Sequence, residues 1–264
     1  MRTELDGSWC LILGASSGMG RATALEFARQ GGNVIGVHFD TAAAQDKVDV
    51  LVEELRGHGV RAHFFNANAA SPATRKEVVP AITGLTEGAG LRVLLHSLAF
   101  GSLVPFIAGE DGPGLTARQM DMTLNVMAHS LVYWTQDLVA AGLLGRSAKI
   151  FAMTSAGDEK VTTNYGAVSA AKCALESHVR QLALELAPRG IAVNSLRAGV
   201  TVTPSLERIP EHAELTERSR RANPHGRLTT PDDVAEAVCL LARTDSSWIT
   251  GNIIGVDGGE GLTS

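Results

Sequence analysis

The chain has 264 residues, of which 45% are hydrophobic and 19% charged, and this balance is ordinary for a globular protein with a sizeable core. Its formal net charge of −5 argues against a nucleic-acid-binding or membrane-binding surface, since either would favour a basic face. Three cysteines without a C-x-x-C pair, a polar start and no apolar stretch near the roughly 20 residues of a membrane span together predict a cytoplasmic protein without a signal peptide.

Short apolar runs alternate with longer segments of helical periodicity along the whole chain. Continuous apolar strands separated by helices predict a parallel sheet that is covered on both faces. We therefore predict α/β architecture: a single doubly wound (Rossmann-type) domain over residues 1–264, with a seven-stranded parallel sheet flanked by helices. The predicted strands are 9–13, 34–39, 60–65, 91–96, 149–154, 191–196 and 252–256, and the predicted helices are 20–30, 42–58, 72–85, 116–141, 164–187 and 231–242.

A glycine-rich turn joins the first predicted strand to the first predicted helix. Glycines let the backbone approach a pyrophosphate closely, and the helix N-terminus adds unpaired N–H groups and a positive dipole end. This context favours a dinucleotide-binding turn over an ordinary glycine-rich βα connection. The residues expected at the pyrophosphate are Gly14, Ser16, Ser17, Gly18, Met19 and Gly20.

The end of the second predicted strand bears on the choice between NADH and NADPH. An acidic side chain there would bind the ribose 2′-hydroxyl and repel a 2′-phosphate. His38 occupies the usual acidic position and Asp40 follows two residues later. Asp40 favours NADH, unless its carboxylate is simply solvated.

Tyr165 and Lys172 are the candidate catalytic pair. Seven residues of helix advance about 700°, within about 20° of two full turns, so the two side chains are expected on one helix face. The ammonium can lower the pKa of the phenol, and the phenol can donate a hydrogen bond or a proton to a substrate oxygen that gains negative charge. The other tyrosine, Tyr133, lies within an apolar helical stretch that is typical of packing.

The spacing G-x-x-x-G-x-G resembles the short-chain dehydrogenase/reductase family, and later motifs extend the resemblance over nearly the whole chain. It implies that Asn125 and Ser155 act beside Tyr165 and Lys172. Relatives that use NADPH often carry a basic residue where this chain has Ser17 or Thr41, which again favours NADH. The further cofactor contacts that the resemblance implies are Asn68 and Ala69 at the adenine, Ser97, Leu98 and Ala99 as a backbone wall, and Gly199, Thr201 and Thr203 at the nicotinamide amide and diphosphate.

The Tyr–Lys spacing and the segment after the fourth predicted strand resemble one branch of that family. The family's usual Tyr-x-x-x-Lys is replaced here by Tyr-x6-Lys, which resembles the enoyl-acyl-carrier-protein reductases, and residues 96–100 (HSLAF) are similar to the same branch. This resemblance implies reduction of the carbon–carbon double bond of a 2-enoyl thioester in fatty acid synthesis. It also implies a substrate carried on acyl carrier protein or CoA, a homotetramer, and no metal.

Two alternatives stay open. Ser155 stands where most enoyl reductases have Tyr or Phe, and Asn125 is typical of carbonyl reducers, so a carbonyl reductase or alcohol dehydrogenase is the second hypothesis. A non-catalytic dinucleotide sensor is a minor third, because such proteins usually lose the Tyr or the Lys.

A charged segment at about residues 203–224 is predicted to close over the substrate as a lid at the carboxyl ends of the strands. Its arginines alternate with glutamates, which favours a solvated helix face over a docking site for an acidic carrier protein.

Overall fold

A computed structural model describes residues 5–109, 112–156, 161–209 and 212–263. One seven-stranded sheet runs through this part of the chain in the order β3-β2-β1-β4-β5-β6-β7, and every neighbouring pair is parallel. The predicted α/β fold class is confirmed. The strands are β1 (Trp9–Leu13), β2 (Asn33–His38), β3 (Ala62–Asn66), β4 (Leu91–His96), β5 (Leu144–Ser155), β6 (Ala192–Ala198) and β7 (Ile253–Val256).

Helices cover both faces of the sheet. Alternate residues of β1 enter two separate cores, so Leu11 and Leu13 pack on one face while Cys10 and Ile12 pack on the other. This double burial explains why the strands are continuously apolar. In the described ranges no helix is long and apolar enough to span a membrane. The helices are α1 (Gly18–Arg29), α2 (Gln45–Gly57), α3 (Pro72–Leu85), α4 (Ala117–Leu124), α5 (Ser130–Ala140), α6 (Gly166–Leu186), α7 (His212–Ala222), α8 (Pro231–Arg243) and α9 (Glu260–Thr263).

The long helix predicted over residues 116–141 is interrupted by a π-helical segment, Asn125–His129, between α4 and α5. Its start was well predicted, because Thr116 and Gln119 form a capping box. One extra residue per turn barely disturbs an apolar pattern, so periodicity alone could not find the interruption.

Strand β5 begins five residues before the predicted start at residue 149, as Leu144 already pairs with Leu91. The pairing shifts register between Leu91 and Val93, and this irregularity accommodates a polar stretch that carries no strand pattern. The carboxyl end of β5, which carries the candidate Ser155, lies against the end of β6.

Candidate active site

The glycine turn after β1 is closed too tightly for side chains. A Cβ on Gly20 would overlap the Gly14 carbonyl oxygen, and a Cβ on Gly14 would overlap the Ser97 carbonyl oxygen. Gly14 also has φ +92°, a left-handed conformation that favours glycine. Helix α1 starts at Gly18, two residues earlier than predicted, and its N-cap residue Ser17 makes no side-chain capping bond. The helix N-terminus therefore keeps N–H groups for an anion.

The remaining residues of this turn differ in their surroundings. Ser16 is half-buried and Ser17 is exposed, whereas the side chain of Met19 packs against the core beneath α1. Thr203, after β6, lies beside the turn: a Cβ added to Gly18 would be 3.4 Å from the Thr203 methyl group. The predicted pyrophosphate turn and one predicted diphosphate contact are thus neighbours.

His38 and Asp40 form a hydrogen-bonded pair at the end of β2. The imidazole Nδ1 and the carboxylate Oδ2 are 2.8 Å apart, and the His38 side chain is 1% exposed against 29% for Asp40. Asn66 clamps Asp40 from the other side, accepting from its backbone N–H at 3.2 Å and donating to its carbonyl at 3.1 Å. One carboxylate oxygen is therefore held by His38, while part of the side chain stays exposed.

The expected adenine contacts and backbone wall follow β3 and β4. Asn68 is exposed and its Oδ1 accepts from the Ala70 N–H at 2.9 Å. The carbonyl of buried Ala69 accepts from the Trp134 indole at 2.8 Å. The other three predicted residues continue from β4: Ser97 donates its N–H to the Leu13 carbonyl, Leu98 packs on the core, and Ala99 is exposed.

Tyr165 and Lys172 lie at the start of α6, beside the carboxyl end of β5. Tyr165 is the N-cap residue and not part of the helix, because Asn164 has φ +61° and the predicted start at residue 164 was two residues early. Tyr165 is half-buried and packs on a small cluster that includes Met127. Lys172 is 6% exposed, and its Nζ donates to the Met153 carbonyl at 2.7 Å.

Ser155 and Asn125 are the other two candidate catalytic residues. Ser155 ends β5, and its buried Oγ has no hydrogen-bond partner among the described residues. Leaving a buried hydroxyl unsatisfied costs about 1–3 kcal/mol, so a polar ligand atom is the natural partner. Asn125 opens the π-helical segment, a feature frequent at functional sites.

The turn after β6 carries Gly199 and Thr201. A Cβ on Gly199 would collide with the Thr229 hydroxyl, and it would lie 2.8 Å from Oε2 of the buried Glu260. That same oxygen accepts from the Val200 N–H at 3.1 Å, and the buried Thr201 hydroxyl donates to the Gly199 carbonyl at 2.9 Å. Sequence reasoning missed the supporting role of Glu260, which lies beyond the last strand predicted from the sequence.

His96, at the end of β4, is a buried neutral base. Burial lowers its pKa to about 3, and the charge of Lys172 acts in the same direction. Ser130 donates its hydroxyl to the Val126 carbonyl, so its oxygen accepts from His96 Nε2 at 2.8 Å and the imidazole carries its proton there. His96 therefore links β4 to Ser130 at the start of α5, directly after the π-helical segment.

We expect the stability of the protein to fall as the pH drops from about 6.5 towards 3. The unfolded chain protonates histidine near pH 6.5 whereas folded His96 resists protonation until about pH 3, so the unfolded state binds more protons between these values. The loss attributable to His96 is about 2 kcal/mol at pH 5. Urea unfolding from pH 7.5 to 5 should show this slope, which His96→Asn should flatten and the exposed control His58→Asn should not.

The predicted lid segment contains a short 3-10 turn, Leu206–Arg208, followed by α7. The two line an open groove of about 350 Å³ whose walls include Val202, Leu206 and Arg220. Glu217 pairs with Arg220 and Arg221, and Asp233 pairs with Arg227. These ion pairs engage three of the arginines in or near the segment.

The sheet topology, the compressed glycine turn at the start of α1 and the strand-end residues around it define a dinucleotide-binding α/β protein. Polar side chains converge at the carboxyl edge of β4, β5 and β6, where ligands bind in such sheets. Within the described ranges, no three His, Cys, Asp or Glu side chains are grouped to hold a metal.

Comparison with known proteins identifies the family. The family model described as Enoyl-(Acyl carrier protein) reductase matches residues 14–260. The 3-oxoacyl-(acyl-carrier-protein) reductase of Thermotoga maritima is 31% identical over 259 residues, covering 97% of this chain and 98% of that protein. The chain belongs to the short-chain dehydrogenase/reductase family and is an NAD(P)-dependent oxidoreductase.

Solved structures agree in fold. A short chain dehydrogenase of Burkholderia cenocepacia, in complex with NADP, matches with a TM-score of 0.82 at 27% identity and covers 98% of this chain and 100% of that one. The enoyl-(acyl-carrier-protein) reductase (NADH) of Aquifex aeolicus matches with a TM-score of 0.83 at 24% identity and covers 98% of each chain. At that identity, the second similarity speaks for the fold alone.

Proposed function

We propose that this oxidoreductase reduces the carbon–carbon double bond of a 2-enoyl thioester, as an enoyl-acyl-carrier-protein reductase of fatty acid synthesis. The observation that carries the proposal is the seven-residue spacing of Tyr165 and Lys172 at the start of α6. The description of the matching family model supports the same activity.

The residues around the site are compatible with a bound nicotinamide dinucleotide. The turn at Gly14 and Gly20 has no room for side chains, so its backbone can approach a phosphate. The buried Ser155 hydroxyl has no hydrogen-bond partner among the described residues and can bond to a ligand atom. Gly18 and Thr203 would hold the diphosphate, and Lys172 the nicotinamide ribose. A reduced nicotinamide supplies the hydride for the reaction.

The protein groups act on the thioester oxygen. Tyr165 donates a hydrogen bond to that oxygen as negative charge develops on it, which stabilises the enolate. The nearby ammonium of Lys172 strengthens the phenol as a donor, and the buried setting strengthens both interactions. A proton from Tyr165 or from solvent water then adds to the α-carbon and completes the reduction; where Tyr165 gives the proton, its phenolate is reprotonated from solvent.

Reduction of a 3-oxoacyl thioester or another ketone is the second candidate. The Ser155 hydroxyl, which has no hydrogen-bond partner within the described part of the chain, favours it, because that hydroxyl could orient a carbonyl oxygen beside Tyr165. The relative from Thermotoga maritima is named for reduction of a 3-oxoacyl substrate.

A turnover panel separates the two candidates. Purified protein is given NADH or NADPH with crotonyl-CoA, crotonyl-acyl carrier protein, acetoacetyl-CoA and acetoacetyl-acyl carrier protein, and the loss of absorbance at the nicotinamide band is followed. We expect turnover of the crotonyl thioesters, with the better carrier identifying the natural partner. Turnover of the acetoacetyl thioesters alone would assign the protein to the carbonyl reductases.

We further propose that NADH is the preferred cofactor, because Asp40 is held by His38 and Asn66 where it would meet the adenosine ribose. Asp40→Ser is expected to raise kcat/KM for NADPH relative to NADH by about tenfold or more, since one charge contact near a phosphate contributes about 1.4 kcal/mol or more to discrimination. Asp46→Ser, in the first turn of α2, is the control. An unchanged ratio in Asp40→Ser would remove this carboxylate as the determinant.

A further inference from the structure

A buried carboxylate ties the two strand ends of the site to α6. Thr154 and Arg197 are direct neighbours in the paired register of β5 and β6. The Thr154 hydroxyl donates to Glu176 Oε1 at 2.7 Å, and an Arg197 guanidinium nitrogen lies 3.6 Å from the same oxygen. The Glu176 side chain is 7% exposed, so these contacts form away from bulk solvent.

Glu176 lies one helical turn beyond Lys172. Its partner on β5, Thr154, lies between Met153 and Ser155. The Met153 carbonyl accepts from Lys172, the Thr154 side chain donates to Glu176, and Ser155 follows with its buried hydroxyl. Three consecutive residues of β5 are therefore either joined to α6 or placed in the site.

Packing alone does not explain a charged side chain at this position. Removing a carboxylate from water is costly, and an apolar group of similar volume is often at least as stabilising as a buried ion pair. A hydrogen-bonded carboxylate instead sets one direction and one distance between a helix and a strand, which apolar contacts specify less sharply.

We propose that Glu176 is a positioning residue for the reaction: with Thr154 and Arg197 it holds α6 against the ends of β5 and β6, and so sets the location of Lys172 relative to Ser155. None of the three is expected to touch substrate. The inference rests on the proposed function only for its kcat readout, which needs a thioester that the enzyme reduces, and either an enoyl or a 3-oxoacyl thioester serves.

The test uses variants of Thr154, because replacing Glu176 outright could prevent folding. Thr154→Val keeps the shape and removes the donor, and Thr154→Ser keeps the hydroxyl. We expect Thr154→Val to lower kcat about 10-fold to 100-fold, as a displacement near 1 Å does. The KM for the thioester should change less than about twofold. Thr154→Ser should keep kcat within about threefold of the unchanged protein.

Glu176→Gln tests the charge separately, since its amide oxygen can still accept from Thr154. We expect an intermediate loss of kcat, and the double variant with Thr154→Val should be less impaired than the product of the two single losses, as for residues that act as one unit. Asp137→Asn is the control, because it makes the same kind of change in a 2.8 Å pair with Arg75 that joins α5 to α3 outside the site and is more exposed. It should leave kcat unchanged.

A readout without turnover keeps the inference distinct from the proposed function. The dissociation constant of NADH, measured by fluorescence, should rise several-fold in Thr154→Val and stay unchanged in Thr154→Ser and Asp137→Asn, because Lys172 is the proposed ribose ligand. If no thioester is reduced but this pattern holds, the proposed function fails and the inference stands. A thermal midpoint that falls in Thr154→Val, with kcat and the NADH constant unchanged, would overturn it by showing a purely structural role.

Discussion

Replacement of Tyr165 by Phe is expected to lower kcat by about 10²-fold to 10⁴-fold, the range that a positioned proton or hydrogen-bond donor usually contributes. Phenylalanine keeps the ring that packs on Met127 and removes only the hydroxyl. The thermal midpoint and the NADH dissociation constant should therefore change little. Steady-state kinetics with crotonyl-CoA and acetoacetyl-CoA measures the effect for both candidate reactions.

Tyr133→Phe is the matched control, as it removes the same hydroxyl from the other tyrosine. Tyr133 is 38% exposed on α5, and the Arg75 guanidinium lies 5.2 Å from its ring centre, a contact that phenylalanine preserves. Its kcat should equal that of the unchanged protein. Equal kcat values in Tyr165→Phe and Tyr133→Phe would remove Tyr165 from the chemistry of either reaction.

The second large effect is expected from Gly20→Ala. Alanine is normally better than glycine inside a helix by about 1 kcal/mol, but here its Cβ would overlap the Gly14 carbonyl oxygen, which is backbone and cannot move aside cheaply. Overpacking of this kind costs about 1–3 kcal/mol, and the displaced turn should also weaken NADH binding at least tenfold. Urea unfolding and NADH fluorescence titration measure the two losses.

Gly84→Ala supplies the comparison for the same change of residue. Gly84 is exposed in α3, and a Cβ there would meet nothing within 4 Å. This variant should be more stable by about 0.4–1 kcal/mol, because alanine restricts the unfolded chain without strain in the folded one. If Gly20→Ala behaved in the same way, with NADH binding intact, the glycine turn would not be the pyrophosphate site.

The sequence placed all seven strands close to their observed positions. The boundaries of two strands, Trp9–Leu13 and Leu91–His96, and of one helix, Pro72–Leu85, agreed to the residue. These boundaries lie where an apolar run meets a cap or a turn residue, and both signals are local. The predictions failed where a boundary depended on distant residues. The start of β5 is set by pairing with β4, and the start of α6 by the left-handed backbone of Asn164.

Site residues show the same division. Tyr165, Lys172, Ser155 and the glycines of the turn were all visible in the sequence, because their types and spacing carry the chemistry. The residues that hold these site residues in place could not be identified from the sequence. Glu176 meets Thr154 across 22 positions, and Val200 meets Glu260 across 60.

The sequence by itself determined the α/β fold, the glycine-rich turn proposed for the pyrophosphate and the pair of residues proposed for catalysis, because each rests on local periodicity or on short spacings along the chain. Only the tertiary structure decided that Asp40 is clamped between His38 and Asn66, that His96 is a neutral base and that Glu176 joins α6 to two strands. Burial and long-range hydrogen bonds produce these features, and neither exists until distant parts of the chain come together.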